Sequence, residues 1–239
     1  MPSPFIRLDQ RLALIFDLYD ECELAADIGT DHAHLPAALL QRGRCRRMIL
    51  TDISPDALNN ARSEIIRFGL SGKADLRLGD GLSPLTQDDR CRVISITGMG
   101  GHTIRDILLS GREKLQGASL ILSAHTDWQL IRQTLAEIGY RLDREEPCLM
   151  NGRYYLVIRS VPGKEQISER EIRLGGPLFH SSSPLLRPFL QRRKEILSVQ
   201  LSGILSATDP DLQAADRLKS DIRFLEQEIE RLCIQEGSV

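Results

Sequence analysis

The sequence predicts an α/β fold, a mostly parallel sheet finished by an antiparallel hairpin, followed by a C-terminal antiparallel helical hairpin or coiled coil. Three observations carry this. Between residues 24 and 139, short apolar runs alternate with helix-length amphipathic stretches, the pattern of βαβ units. Two strand-like runs then flank Asn151-Gly152, a strong hairpin signal. Beyond Pro162-Gly163-Lys164 the chain turns polar and helical and ends in apolar residues spaced alternately three and four apart.

Taken in order, residues 7–20 place Leu8, Leu12, Ile15, Phe16 and Tyr19 at helical spacing. Residues 24–29 read as a strand, 33–41 as a helix, 47–53 as a second strand, and 55–68 as a helix closed by Gly69. A short strand, 74–78, precedes the Gly79-Asp80-Gly81 turn. The strand 92–97 ends in Gly98-Met99-Gly100-Gly101; a helix at 103–109, a strand at 119–123 and a helix at 127–138 follow. Strands at 140–148 and 154–161 form the hairpin.

Pro177, Pro184 and Pro188 mark a connector, and Asp209-Pro210 separates helices near 186–206 and 211–234. Ala215, Leu218, Ile222, Leu225, Ile229 and Leu232 form the heptad seam, facing Leu186, Leu190, Leu197, Leu201 and Ile204 across a short turn. That implies intramolecular packing, and a monomer. The expected division is a ligand-binding domain at 1–162 and a helical coiled-coil domain at 163–239.

A chain of 239 residues has room for one α/β domain and a smaller appendage. Its net charge of −2 excludes a polyanion-binding surface over the whole molecule but leaves room for local patches. Two basic clusters stand out: Arg42, Arg44, Arg46 and Arg47, then Arg187, Arg192, Arg193 and Lys194. The five cysteines are dispersed without a CxxC pair, which suits a reducing cytoplasm. Residues 1–5 lack a signal-peptide profile and no apolar run reaches membrane-spanning length, so the expectation is a cytoplasmic protein with no membrane contact.

Asp27-Ile28-Gly29-Thr30-Asp31-His32 follows the first strand, and Asp52 ends the second. Gly29 admits close approach of a ligand to the backbone. The GxGxxG spacing that a pyrophosphate requires is missing, and Asp31 would repel phosphate while tolerating a sulfonium cation, so the pattern favours S-adenosylmethionine over a dinucleotide. Asp27 is placed to accept from the cofactor's amino-acid end and Asp52 from its ribose hydroxyls. Asp80 and Gly81 lie after the third strand, where an adenine amino group is met, and Thr30, Ile53 and Gly98 complete the candidate cofactor set. The parallel sheet with a terminal antiparallel hairpin is the layout of Rossmann-like class I methyltransferases.

Arg11-Leu12, the segment Asp27-Ile-Gly-Thr-Asp-His-Ala-His-Leu-Pro36, Arg77-Leu-Gly-Asp-Gly-Leu82 and Gly98-Met-Gly-Gly101 resemble the bacterial tRNA (adenine-22-N1)-methyltransferase family. The resemblance extends over nearly the whole chain, with its specific motifs in the first 101 residues. It implies S-adenosylmethionine as cofactor, tRNA as partner and N1 of an adenine as methyl acceptor. Asp31 and His32 are then the candidate catalytic pair, with Met99, Gly100, Gly101, His34, His125, Arg192 and Arg193 as candidate substrate contacts. His34 stands where that family has Tyr, and Ser123-Ala124-His125 where it has Gln-Pro-Asn. His32 and His34 form an HxH without a third ligand, so no metal is expected. The alternatives are a methyltransferase of this fold with another substrate, and a non-catalytic RNA-binding or assembly module.

Overall fold

A computed structural model describes residues 5–236; residues 1–4, where most of the sequence examined for a signal peptide lies, and 237–239 are outside it. Five parallel strands come first: β1 (Cys22–Ile28), β2 (Cys45–Asp52), β3 (Ala74–Leu78), β4 (Val93–Met99) and β5 (Ser119–Ala124). The antiparallel pair β6 (Tyr140–Met150) and β7 (Arg153–Pro162) completes a seven-stranded sheet of order β3-β2-β1-β4-β5-β7-β6. Strand order reverses between β1 and β4, and ligands of open α/β sheets bind outside the carboxyl ends of the strands at such a point. Asn151 and Gly152 both have positive φ, 51° and 74°, as a two-residue type I′ turn requires.

Alternation along the strands feeds two cores, one on each face. Ala25, Met48 and Leu50 pack with Ile15 of α1 (Gln10–Asp17), Leu39 and Leu40 of α2 (His34–Gln41) and Ile65 of α3 (Pro55–Arg67). Ala26, Ile49, Ile94 and Ile96 pack with Ile104 and Leu108 of α4 (Gly101–Ser110) and Ile131 and Leu135 of α5 (Trp128–Glu137). The first helix is shorter than its periodicity suggested, because Asp9 caps it by accepting from the Leu12 N–H at 2.8 Å.

The connector holds α6 (Glu169–Leu174), a short helix absent from the sequence reading, started by a capping box of Ser168 and Glu171. Then come α7 (Leu186–Leu205) and α8 (Leu212–Glu236). Lys194 meets Glu226 and Arg187 meets Cys233, so the two helices run antiparallel. The heptad seam is buried within the chain: Ala215 and Leu225 are fully covered, and Leu218, Ile222, Ile229 and Leu232 pack on the core that contains Phe189, Leu190 and Leu197.

One buried joint fixes the helical part to the sheet. Arg132 of α5 donates to Glu145 of β6 at 2.6 Å and to the Ile172 carbonyl at 3.1 Å. The second Glu145 oxygen accepts from the Gly176 and Leu178 N–H groups. Arg173 binds the buried Asp221 of α8 through two hydrogen bonds of 2.7 and 2.9 Å. Among the described residues no helix is long and apolar enough to cross a membrane.

Candidate active site

The candidate residues from the first two strands meet in one turn. Gly29, Asp31 and Ala33 have φ of 73°, 39° and 52°, so the chain leaves β1 through repeated left-handed residues. The Gly29 and Thr30 N–H groups donate to the Thr51 carbonyl at 2.8 and 3.0 Å, tying the turn to β2. A Cβ on Gly29 would meet only the flexible terminal methyl of Met99, so it is the positive φ and the room left for a ligand that favour glycine here. Asp52 is oriented by backbone on both sides: Oδ2 accepts from Asp31 N–H at 3.3 Å and Oδ1 from Ser54 N–H at 2.9 Å. Asp31 does not cap α2; Ala33 occupies the N-cap without a side-chain bond.

Asp27 lies beneath this turn. It is buried, and its carboxylate accepts from the Ser95 hydroxyl, which in turn accepts from Tyr19 at 2.6 Å. Burial pushes its pKa up to about 6, against the hydrogen bond from Ser95 and the positive charge of Arg11, which act to lower it. Ile53, just beyond β2, is 67% exposed, an apolar side chain at the open rim. Asp80 is exposed next to Gly81, whose positive φ and close neighbour Ile107 favour glycine.

The three glycines at the end of β4 have different reasons. Gly98 has φ of 79°, Gly100 has open space where a side chain would go, and Gly101 packs so closely on Thr126 and Asp127 that a Cβ would lie 2.7 Å from that of Asp127. The small size of Gly101 serves the contact of α4 with the β5–α5 turn. His125 closes the end of β5 over β4: its N–H donates to the Met99 carbonyl at 3.0 Å, and its Nε2 lies 2.8 Å from the Gly98 carbonyl.

His32 stacks on His34 at 5.7 Å and lies 3.5 Å from the Asp31 carboxylate. His34 turns back toward Glu64 of α3, at 3.5 Å. Among the described residues no group of His, Cys, Asp or Glu is arranged to hold a metal.

The sequence offered Arg11 only as part of a resemblance. In the structure its Nε and Nη1 are buried without a hydrogen-bond partner, Nη1 lies 3.8 Å from where a Gly98 side chain would start, and the guanidinium is 5.8 Å from the centre of the Tyr155 ring. Leaving buried charged donors unpaired costs on the order of 1–3 kcal/mol or more. The two basic clusters part company. Arg192 and Arg193 line a cleft of about 530 Å³ with His125, Trp128, Tyr154 and Tyr155. Arg42, Arg44, Arg46 and Arg47 sit where β2 begins, at the opposite edge of the sheet, so no single basic stripe joins the two clusters.

The methyltransferase-domain family matches residues 8–158, more than half of the chain. A Bacillus subtilis (strain 168) protein named tRNA (adenine(22)-N(1))-methyltransferase is 29% identical over 217 residues, 88% of each chain. A Streptococcus pneumoniae protein, described as a candidate tRNA (m1A22) methyltransferase and solved with S-adenosyl-L-methionine, is 26% identical with a TM-score of 0.81, covering 93% of this chain and all of that one. The B. subtilis m1A22 tRNA methyltransferase TrmK superposes with a TM-score of 0.82 at 25% identity, covering 94% and 99%. The chain belongs to the methyltransferase-domain family.

Proposed function

From that membership we propose that this chain transfers a methyl group from S-adenosylmethionine to N1 of an adenine in tRNA, acting in the cytoplasm. The observation that carries the cofactor reading is the carboxyl edge of the sheet, where Asp52, Ile53 and Asp80 stand open and Arg11 has unmet donors beneath Gly98. These residues fit the cofactor in chemistry: Asp52 the ribose hydroxyls, Ile53 an adenine face, Asp80 the adenine amino group, Asp27 and Thr30 the methionyl amine, and Arg11 the methionyl carboxylate. The bound cofactor supplies an electrophilic methyl on a sulfonium.

The acceptor needs no base, because adenine N1 carries a free lone pair. The lone pair forms the new N–C bond as the C–S bond breaks and its electrons stay on sulfur, and the methylated base becomes cationic. Asp31 stabilises that charge, with His32 beside it, and the Gly98–Gly101 turn with His125 positions the ring. N1 lies on the pairing edge, so the adenine leaves its pair to react. Residues 1–162 carry the chemistry in this reading, and 163–239 form the helical domain that meets the RNA.

Unmodified tRNA from the same source, incubated with labelled S-adenosylmethionine and mapped by mass spectrometry, should gain N1-methyladenosine in the D-arm region. A different methylated nucleoside would overturn the acceptor assignment. Asp31→Ala should lower turnover about a hundredfold with affinity for S-adenosylhomocysteine nearly unchanged; equal loss of both would make it a binding residue.

A further inference from the structure

The cleft beside the active site differs in composition from the rest of the surface. It is lined by Trp128, Tyr154 and Tyr155 with Arg153, Arg192 and Arg193, and no carboxylate lines it, although the chain carries a net charge of −2. Across the sheet's far edge a cavity of the same volume is lined by Glu145, Glu146, Glu165 and Glu171, so the cationic lining is local.

The rings are held in place. The Trp128 indole N–H donates to the Ala124 carbonyl at 3.1 Å, and its ring lies 5.5 Å from Phe189, on which Tyr154 rests edge-on. Arg193 lies over the indole at 5.5 Å. Its neighbours Arg192 and Lys194 pair with Glu195 and Glu226, whereas Arg193 makes no ion pair among the described residues; Asp221 acts on it only at longer range and is itself bound by Arg173. Tyr155 meets His125 edge-on at 5.8 Å, and His125 bonds the Gly98 carbonyl, so one side chain separates the cleft from the turn that ends β4.

Fixed rings beside an unpaired guanidinium are what an unstacked nucleotide binds: a π-face for the base and a cation for its phosphate. We propose that this cleft takes a second unpaired nucleotide, a neighbour of the methylated adenine, stacking its base on the Trp128, Tyr154 and Tyr155 wall with its phosphate on Arg193 and Arg192. The proposal rests on the tRNA reading above and adds a site to it. An adenine drawn out of its helix leaves a neighbour without its stacking partner, and the cleft replaces that partner.

Trp128 is the only tryptophan in the chain, so its fluorescence reports on the cleft. The full chain, titrated with a short oligoadenylate RNA and with an abasic oligomer of equal length and charge, should show quenching only by the first, bound about tenfold more tightly. Tyr154→Leu should remove most of that advantage, Arg193→Gln should weaken both oligomers alike, and both variants should leave S-adenosylhomocysteine affinity within about twofold. Transfer RNA with abasic positions flanking the adenine should show a KM raised about tenfold at similar kcat. Equal binding of both oligomers, or an unchanged KM with abasic neighbours, overturns the proposal. If wild type quenches with oligoadenylate yet methylates no tRNA, the tRNA reading fails while the stacking cleft stands; methylation with a silent Trp128 removes the cleft alone.

Discussion

The two edges of the sheet are built in opposite ways. At the amino edge, contacts are made within the chain: Cys22 and Cys45, paired in register, have sulfurs 3.3 Å apart; Arg42 donates to the Ile6 carbonyl and, with Arg44, covers Phe16; Arg46 meets Glu23. At the carboxyl edge the backbone is left-handed at Gly29, Asp31, Ala33, Gly81 and Gly98, Ile53 and Leu78 are exposed, and Arg11 holds buried donors with no acceptor. One sheet thus has a satisfied corner, where β1 and β2 begin, and an unfinished carboxyl edge. Local rules of structure are broken where a ligand completes the arrangement.

The contrast breaks most completely at Gly29. Gly29→Ala should cost about 1–2 kcal/mol of stability and about a hundredfold in cofactor affinity, because φ is positive and a Cβ enters the space a ligand would use. Thermal unfolding with calorimetry checks this, and Met99→Ala should not restore the loss, since the strain lies in the backbone. Next comes Arg11→Gln, expected to weaken S-adenosylhomocysteine about tenfold to a hundredfold and to leave methylthioadenosine, which lacks the amino-acid end, unchanged. Parallel losses for both ligands would place Arg11 elsewhere.

Asp27 sharpens the comparison by pH. Its folded pKa is raised to about 6 from an ordinary 3.8, so the folded state holds the proton more tightly than the unfolded one. Its contribution to stability is then fully present below pH 4 and is lost as pH rises through 6, a change of roughly 3 kcal/mol. Asp27→Asn should flatten that slope in denaturant titrations across pH. The smallest effect belongs to the satisfied corner: Arg46→Glu should change tRNA KM less than about twofold, since exposed ion pairs are worth little. A large rise would make the amino edge a second RNA surface.

Most of the framework is legible in the sequence because strands covered on both faces read as unbroken apolar runs, and Asn151-Gly152 admits few turns besides I′. Asp27, Gly29, Asp52 and Asp80 could be named because strand ends and their order are local information. Other features depend on distant partners. α6 is six residues long and is held by Arg173 on Asp221, although its capping box was there to be read. Arg11 becomes informative only when Gly98 and Tyr155 fold against it, and the cleft joins β5, the hairpin turn and α7. Adjacency at residues 42–47 says nothing of which edge they occupy, and the fold places them at the amino edge, away from Arg192 and Arg193.

The buried Arg132–Glu145 joint and the Arg173–Asp221 pair turn the helical hairpin into a fixed arm rather than a hinged one. Breaking such a buried pair costs about 3–5 kcal/mol, too much for routine opening. Helix α7 has 20 residues, so its far end stands about 30 Å along the arm from its root. If the proposed tRNA rests on both the site and the arm's tip, its reactive base lies at a set span from the surface the tip touches. Adding turns to both helices would reset that span and leave the chemistry untouched, so a change of target position needs no change in the catalytic residues.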